Sequence, residues 1–267
     1  MKYVFDNDLH IHTRLSACSG NPEQTPERIL QYAKENGLKT ICITDHLWDS
    51  AVPGASEWYA SQNIEHISAS KPLPADENVR VLFGCETELD KHMTLGLAPE
   101  NFDKFDFIVI PTTHLHMKGF TIEEEDAPDA KRKAQLWVDR LEAVLNMDLP
   151  FHKVGIAHLN TTLIYRNREK YLEIFSSLPE EKLRELFTRA AKLGVGIELN
   201  VEGMLYEPED EEIAMRVFKI AKECGCKFYC ASDAHRPSQF DTVKRDIERA
   251  VNYLGLTEED KFILGER

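Results

Sequence analysis

No apolar run in this 267-residue chain approaches the ~18 residues of a membrane span. The opening MKYVFDNDLH also has no apolar core of the kind a secretory signal carries. The expectation is a soluble, cytoplasmic protein with no membrane partner. Cysteine is sparse: Cys18, Cys42, Cys85, Cys224, Cys226 and Cys230 show no disulfide-framework spacing, which suits a reducing compartment. Cations are outnumbered, 32 Lys and Arg against 46 Asp and Glu for a net charge of −14, so the basic footprint of a long nucleic-acid groove is missing. A local group of cations can still receive a small anion. Repeats, low-complexity tracts and linkers are absent as well, so residues 1–267 read as one domain.

What the chain has is alternation. β-rich runs fall at residues 3–10, 40–44 (TICIT), 79–85 (VRVLFGC), 105–110 (FDFIVI), 154–158 (VGIAH), 195–200 (VGIELN) and 227–231 (KFYCA). Helical patterns follow many of them. Thr25-Pro26 caps a helix closed by Gly37, and apolar spacing marks residues 130–146. Residues 179–193, 208–224 and 241–254 each run into a glycine. The strands are apolar on both faces, as in a parallel sheet covered by helices. Seven such strands read as one α/β domain, and α/β barrels are often of this size.

The polar exceptions collect at the strand ends. His10 and His12 close the first run, two residues apart and so on one face, about 6–7 Å from each other along the strand. Taken alone, the pair reads equally as two ordinary strand histidines. Asp45-His46 then follow the second run, Glu86 and Glu88 the third, and His114 and His116 the fourth. His158 ends the fifth, Glu198 and Asn200 the sixth, and Asp233 and His235 follow the seventh. Parallel α/β barrels build their active sites at this rim. So many imidazoles and carboxylates at one place are costly to bury unless cations lie between them. Spacing does not choose between Glu86 and Glu88, or between His114 and His116. Cys224, Cys226 and Cys230 tempt a zinc reading, but they straddle a helix end and a buried strand, where core packing is expected.

The motifs His10-x-His12, Thr44-Asp45-His46, Gly84-x-Glu86, Thr113-His114, Ala157-His158 and Ser232-Asp233-Ala234-His235 occur in order from residue 8 to about residue 237. Together they resemble the PHP (polymerase and histidinol phosphatase) family. The resemblance implies a distorted (β/α)7 TIM-like barrel, two or three divalent metal ions (zinc, manganese or iron), and phosphoester hydrolysis. It implies that His10, His12, Glu86 and Asp233 hold one metal, that Glu86 bridges to a second held by His114 and His158, and that His46 and His235 hold a third. Glu86, Asp233 and His235 are the catalytic residues on this reading. Cys18 departs from the family, which often has Asp or His there; it is either a thiolate ligand or a small buried hydrophobe.

Such a centre would place a hydroxide between two cations for in-line attack on phosphorus. Asp45 is expected to orient a ligand imidazole rather than bind metal. Arg14, His116, Lys118, Arg166 and Arg236 are the candidates for substrate contact. The segment from Leu47 to Asn78, with Trp48, Trp58 and Tyr59, and the acidic stretch from Glu123 to Asp129 are long excursions of the kind that shape or cover a barrel's pocket. The expected partner is a small phosphorylated metabolite, histidinol phosphate leading. The alternatives are a phosphodiesterase or 3′-exonuclease on short nucleotides, and a metal-dependent amidohydrolase or non-catalytic metal-binding barrel.

Overall fold

The computed structural model describes residues 1–200 and 208–265. Eight strands lie parallel: β1 (Asn7–Ile11), β2 (Thr40–Ile43), β3 (His46–Leu47), β4 (Arg80–Thr87), β5 (Phe107–Pro111), β6 (Val154–Ala157), β7 (Gly196–Asn200) and β8 (Lys227–Ala231). The order is β1-β2-β4-β5-β6-β7-β8, with the short β3 paired to β4 alone. All seven runs read from the sequence are present. Most boundaries shift by one or more residues, and two of the shifts bear on the site. The first strand starts at Asn7, because Tyr3 and Phe5 are buried ahead of it and Tyr3 Oη donates to Phe228 O at 2.8 Å. The third run continues through Glu86 and Thr87, which puts Glu86 inside a strand rather than after it.

The sheet closes between its first and last members without a full ladder. Asp233 N donates to His10 O at 2.8 Å and His12 N to Ala234 O at 3.1 Å. Lower on this seam, side chains replace backbone: Cys230 N donates to Asn7 Oδ1 and Ser232 N to Asp8 Oδ1, at 3.1 and 3.0 Å. That substitution is the distortion of the barrel, and it leaves no open edge there for another chain to pair with.

Around the barrel run α1 (Pro26–Asn36), α2 (Ile64–Ile67), α3 (Ala130–Asn146), α4 (Arg168–Ser177), α5 (Glu180–Leu193), α6 (Pro208–Glu223) and α7 (Val243–Leu254). Thr25 caps α1 and Gly37 ends it in the left-handed conformation, as its sequence requires. Helix α4 is not among the helices read from the sequence, although its buried Tyr171, Ile174 and Phe175 keep helical spacing. The start of α7 shifts to Val243 because residues 237–241 form a tighter 3₁₀ turn. No helix among the described residues is long and apolar enough to cross a membrane.

The lower barrel is filled by aromatic rings. Phe262 packs from the C-terminal segment against Phe107 and Tyr229, and Gly155 and Gly196 make room for these rings. A Cβ on Gly155 would stand 2.5 Å from Tyr229 Oη, and one on Gly196 2.9 Å from Tyr229 Cδ1. Cys226 and Cys230 are buried in the core, with Cys224 half-buried beside it, which agrees with packing rather than zinc binding.

Candidate metal centre

Among the described residues, three groups of potential ligand atoms meet at the rim: His10, His12 and Glu86; Glu86, His114 and His158; and His12, His46 and His235. Within each, the atoms lie within 4.8 Å of one another. All these residues are buried except the half-buried His235. Glu86 faces two groups with different oxygens. Its Oε2 is 3.5 Å from His10 Nε2 and 3.4 Å from His12 Nε2, while Oε1 is 3.2 Å from His158 Nε2 and 4.0 Å from His114 Nε2. Asp233 Oδ1 joins the first group at 3.1 Å from His12 Nε2. His158 and Asp233 carry positive φ, 27° and 52°, a strained backbone of the kind that recurs at functional sites. Cys18 lies outside the three groups, and His12 completes the third.

A second layer aims each imidazole. His10 Nδ1 is 2.8 Å from Glu198 Oε2, and Glu198 also accepts from Tyr229 Oη, Asn200 Nδ2 and His158 N. His12 Nδ1 meets Ser16 Oγ at 2.8 Å, and Ser16 Oγ donates onward to Asp45 Oδ1 at 2.7 Å. Asp45 therefore reaches the His12 imidazole through Ser16. His114 Nδ1 is 2.7 Å from Glu88 Oε2, which separates the two glutamates that spacing left equivalent: Glu86 faces the centre and Glu88 stands behind it. His116 lines the cavity but belongs to none of the three groups. Ser16 and Arg140, which touches Glu88, carried no motif. Arg140 does share the buried stripe of α3 with Lys133, Trp137, Leu141 and Val144. A charge on an apolar stripe is the signal that marks it.

Two observations test whether this donor set suits a cation. Glu86 Oε2 and His46 Nδ1 are buried 2.8 Å apart, yet among the described residues neither has a hydrogen-bond partner. His10 Nε2 and His12 Nε2 face each other at 3.0 Å. Ser16 spends its proton on Asp45, so His12 Nδ1 must donate to Ser16; His10 Nδ1 likewise donates to the carboxylate of Glu198. Both Nε2 atoms then present lone pairs to the same point. Only a cation or an extra proton resolves that, and imidazole with carboxylate suits zinc, manganese or iron. The electrostatics agree. Burial disfavours ionised Glu86, but His46 and His10 hold its carboxyl well below the usual range. Burial likewise opposes a proton on His12, yet Asp233 and Glu86 push it up to about 9. Burial pushes Glu88 up to about 7, with Arg140 opposing.

The centre opens into a cavity of about 530 Å³, a size that fits a small ligand. Its polar floor is Glu86, His46, His114, Asp233 and His235; Trp58, Tyr59, Met117, Phe120 and Leu163 form apolar walls. Cys18, Ser56, His116 and Lys118 complete the lining, and Lys118 is its one Lys or Arg among the described residues. Arg14, Arg166 and Arg236 are exposed and do not line it. Trp48 is a further correction: it is buried, donates Nε1–H to Val52 O at 2.9 Å, and packs over Gly96. Trp58 is 39% exposed with its ring 5.1 Å from that of His46. The acidic stretch stays away from the cavity. Glu123 pairs with Lys91, Asp126 with Arg132, and Asp129 caps α3.

Residues 8–202 match the model of the PHP domain family. A probable phosphatase of Thermoanaerobacter sp. (strain X514) is 27% identical over 263 residues, covering 97% of this chain and 89% of the relative. Another, from Caldicellulosiruptor saccharolyticus, is 23% identical over 256 residues, covering 96% and 87%. Among solved structures, the histidinol phosphate phosphatase of Lactococcus lactis, complexed with zinc, L-histidinol and phosphate, superposes with a TM-score of 0.56 at 17% identity, covering 93% of this chain and 94% of that one.

Proposed function

The chain belongs to the PHP domain family, and from there we propose that it is a metal-dependent phosphatase acting on a small phosphomonoester. The observation that carries this reading is the sharing of Glu86 between two ligand groups, one per carboxylate oxygen, at the floor of a ligand-sized cavity. His10, His12, Asp233 and Glu86 would hold one cation, Glu86, His114 and His158 a second, and His46 with His235 a third. Bound divalent cations supply Lewis acidity and bring the ionisation of water towards neutral pH.

The protein's own residues do the rest. Glu198, Ser16 with Asp45, and Glu88 keep the ligand imidazoles aimed, so little reorganisation accompanies the reaction. Lys118, which lines the cavity, would give a phosphate oxygen its counter-charge, and His116, which also lines it, would be a second contact. The apolar walls receive the alcohol portion and exclude water from it. Hydrolysis transfers a water oxygen to phosphorus, breaks the P–O ester bond, and releases the alcohol with a proton. Histidinol phosphate is the first compound to test, since the superposing solved enzyme is a histidinol phosphate phosphatase.

The decisive experiment is a panel of phosphomonoesters, dinucleotides and amides with added zinc, manganese or iron. Turnover of at least one phosphomonoester far above the other two classes, abolished by a chelator, is expected. Preferential turnover of dinucleotides or amides would overturn the proposal.

A further inference from the structure

We propose that Glu88, held in place by Arg140, is a positioning residue that fixes the tautomer of His114 and so sets the metal affinity of the Glu86–His114–His158 group. The inference rests on the metal-dependent reading above. Arg140 reaches inward from α3 and is wholly buried. Its guanidinium donates to Leu89 O at 2.7 Å, Thr112 O at 2.8 Å, Asp90 O and Thr121 O at 3.2 Å each, and Pro111 O at 3.4 Å. These carbonyls belong to the segments leaving β4 and β5, so one side chain ties together the two exits that carry Glu88 and His114. Its remaining contact is with Glu88 Oε1 at 3.3 Å.

The two oxygens of Glu88 are thereby made unequal. Oε1 is met only by donors, Arg140 Nη2 and Leu89 N, the latter at 2.9 Å. Oε2 faces His114 Nδ1 at 2.7 Å and accepts from Tyr59 Oη at 3.3 Å. A carboxylate only accepts, so His114 carries its proton on Nδ1 and offers the Nε2 lone pair towards Glu86. His158 Nδ1 meets a neutral hydroxyl instead of a carboxylate: Thr113 Oγ1 lies at 3.2 Å and donates its own proton to His158 O at 3.1 Å. Of the two imidazoles in this group, His114 is the one whose Nδ1 proton is held by a buried carboxylate.

Arg140 turns an isosteric change into a sharp test. In Glu88→Gln the amide oxygen must point to Arg140 and Leu89 N, because an NH₂ there would confront donors. The NH₂ then faces His114 Nδ1 and demands an acceptor, which moves the imidazole proton to Nε2, the atom that would bind metal. Zinc titration against a competing chelator at pH 8 reads the outcome. One equivalent should weaken by about 10- to 100-fold while the others keep wild-type affinity. Unchanged affinity for every equivalent in a folded Glu88→Gln overturns the inference. Less than one equivalent in the wild type overturns the metal-dependent reading beneath it. Nitrogen-15 spectra of metal-free wild type at pH 8 give a second reading that needs no variant: the His114 proton is expected on Nδ1, and a proton on Nε2 overturns the inference.

Discussion

Replacing Gly155 with alanine tests whether the aromatic plug of the lower barrel and the metal centre at its rim are mechanically one piece. The new Cβ would stand 2.5 Å from Tyr229 Oη, 2.6 Å from Tyr229 Cε1 and 2.6 Å from Phe107 Cζ. Both rings are fully buried and meet edge to face with centroids 5.1 Å apart, so neither can retreat into solvent. Forcing one methyl into such packing costs about 1–3 kcal/mol. Tyr229 Oη also donates to Glu198 Oε2 at 2.8 Å, and the same oxygen accepts from His10 Nδ1. Displacing the ring therefore strains a hydrogen bond to a charged acceptor, worth about 1.5–3 kcal/mol if lost altogether.

The expected destabilisation is about 2–5 kcal/mol, or a fall of roughly 4–20 °C in the thermal midpoint for a chain of this size. Scanning calorimetry of the metal-free protein measures it. The coupling is checked with Tyr229→Phe, which deletes the hydroxyl making the closest contact. In that background Gly155→Ala should cost less, with an interaction energy of about 0.5–3 kcal/mol. A midpoint within ~2 °C of wild type, or strict additivity of the two changes, would refute the reasoning.

Glu86→Gln should remove more than one equivalent of metal, because its two oxygens face different groups; elemental analysis after reconstitution decides it. Trp48→Ala should lower stability by about 3–5 kcal/mol, whereas Trp58→Ala should leave the midpoint nearly unchanged and reduce turnover of bulky phosphomonoesters more than that of small ones; equal effects on both measurements would contradict their assigned places. Burial, aided by Lys118, pushes the Lys133 ammonium down to about 8 from an ordinary 10.5, while its Nζ donates to Ile164 O at 2.6 Å. Between those values the unfolded chain binds more protons, so this group makes stability rise with pH across that window. Denaturant midpoints of wild type and Lys133→Met should diverge accordingly, the variant lacking that share of the rise.

The candidate ligands were legible because strand periodicity and helix punctuation fix where each parallel strand ends, and His10, Glu86, His158 and Asp233 sit at or just beyond those ends. The supports behind them were harder to see. Glu198 and Asn200 showed as polar residues on an otherwise apolar strand, but their link to His10 comes from barrel closure, a long-range event that no local pattern records. Arg140 looks like an ordinary member of a helix until its place on the buried stripe is noticed. Trp48 and Trp58 are indistinguishable by composition. Gly96, far away in sequence, admits one into the core, and the turn around residue 58 leaves the other over the cavity. Arg14, Arg166 and Arg236 mark the limit of proximity to a strand end as a guide, because loop direction decides whether a long side chain turns inward.

The seam between β1 and β8 carries a consequence for how the molecule assembles. His10 and His12 arrive with the first strand, Asp233 and His235 just after the last, and among the described residues two backbone bonds at the rim join the segments that bear them. The complete centre cannot exist until the final strand has docked against the first, so a cation held there acts as a clasp across the closure. Full metal uptake is then a report that the last strand is home, and a protein that fails to close its barrel declares itself by an incomplete metal count.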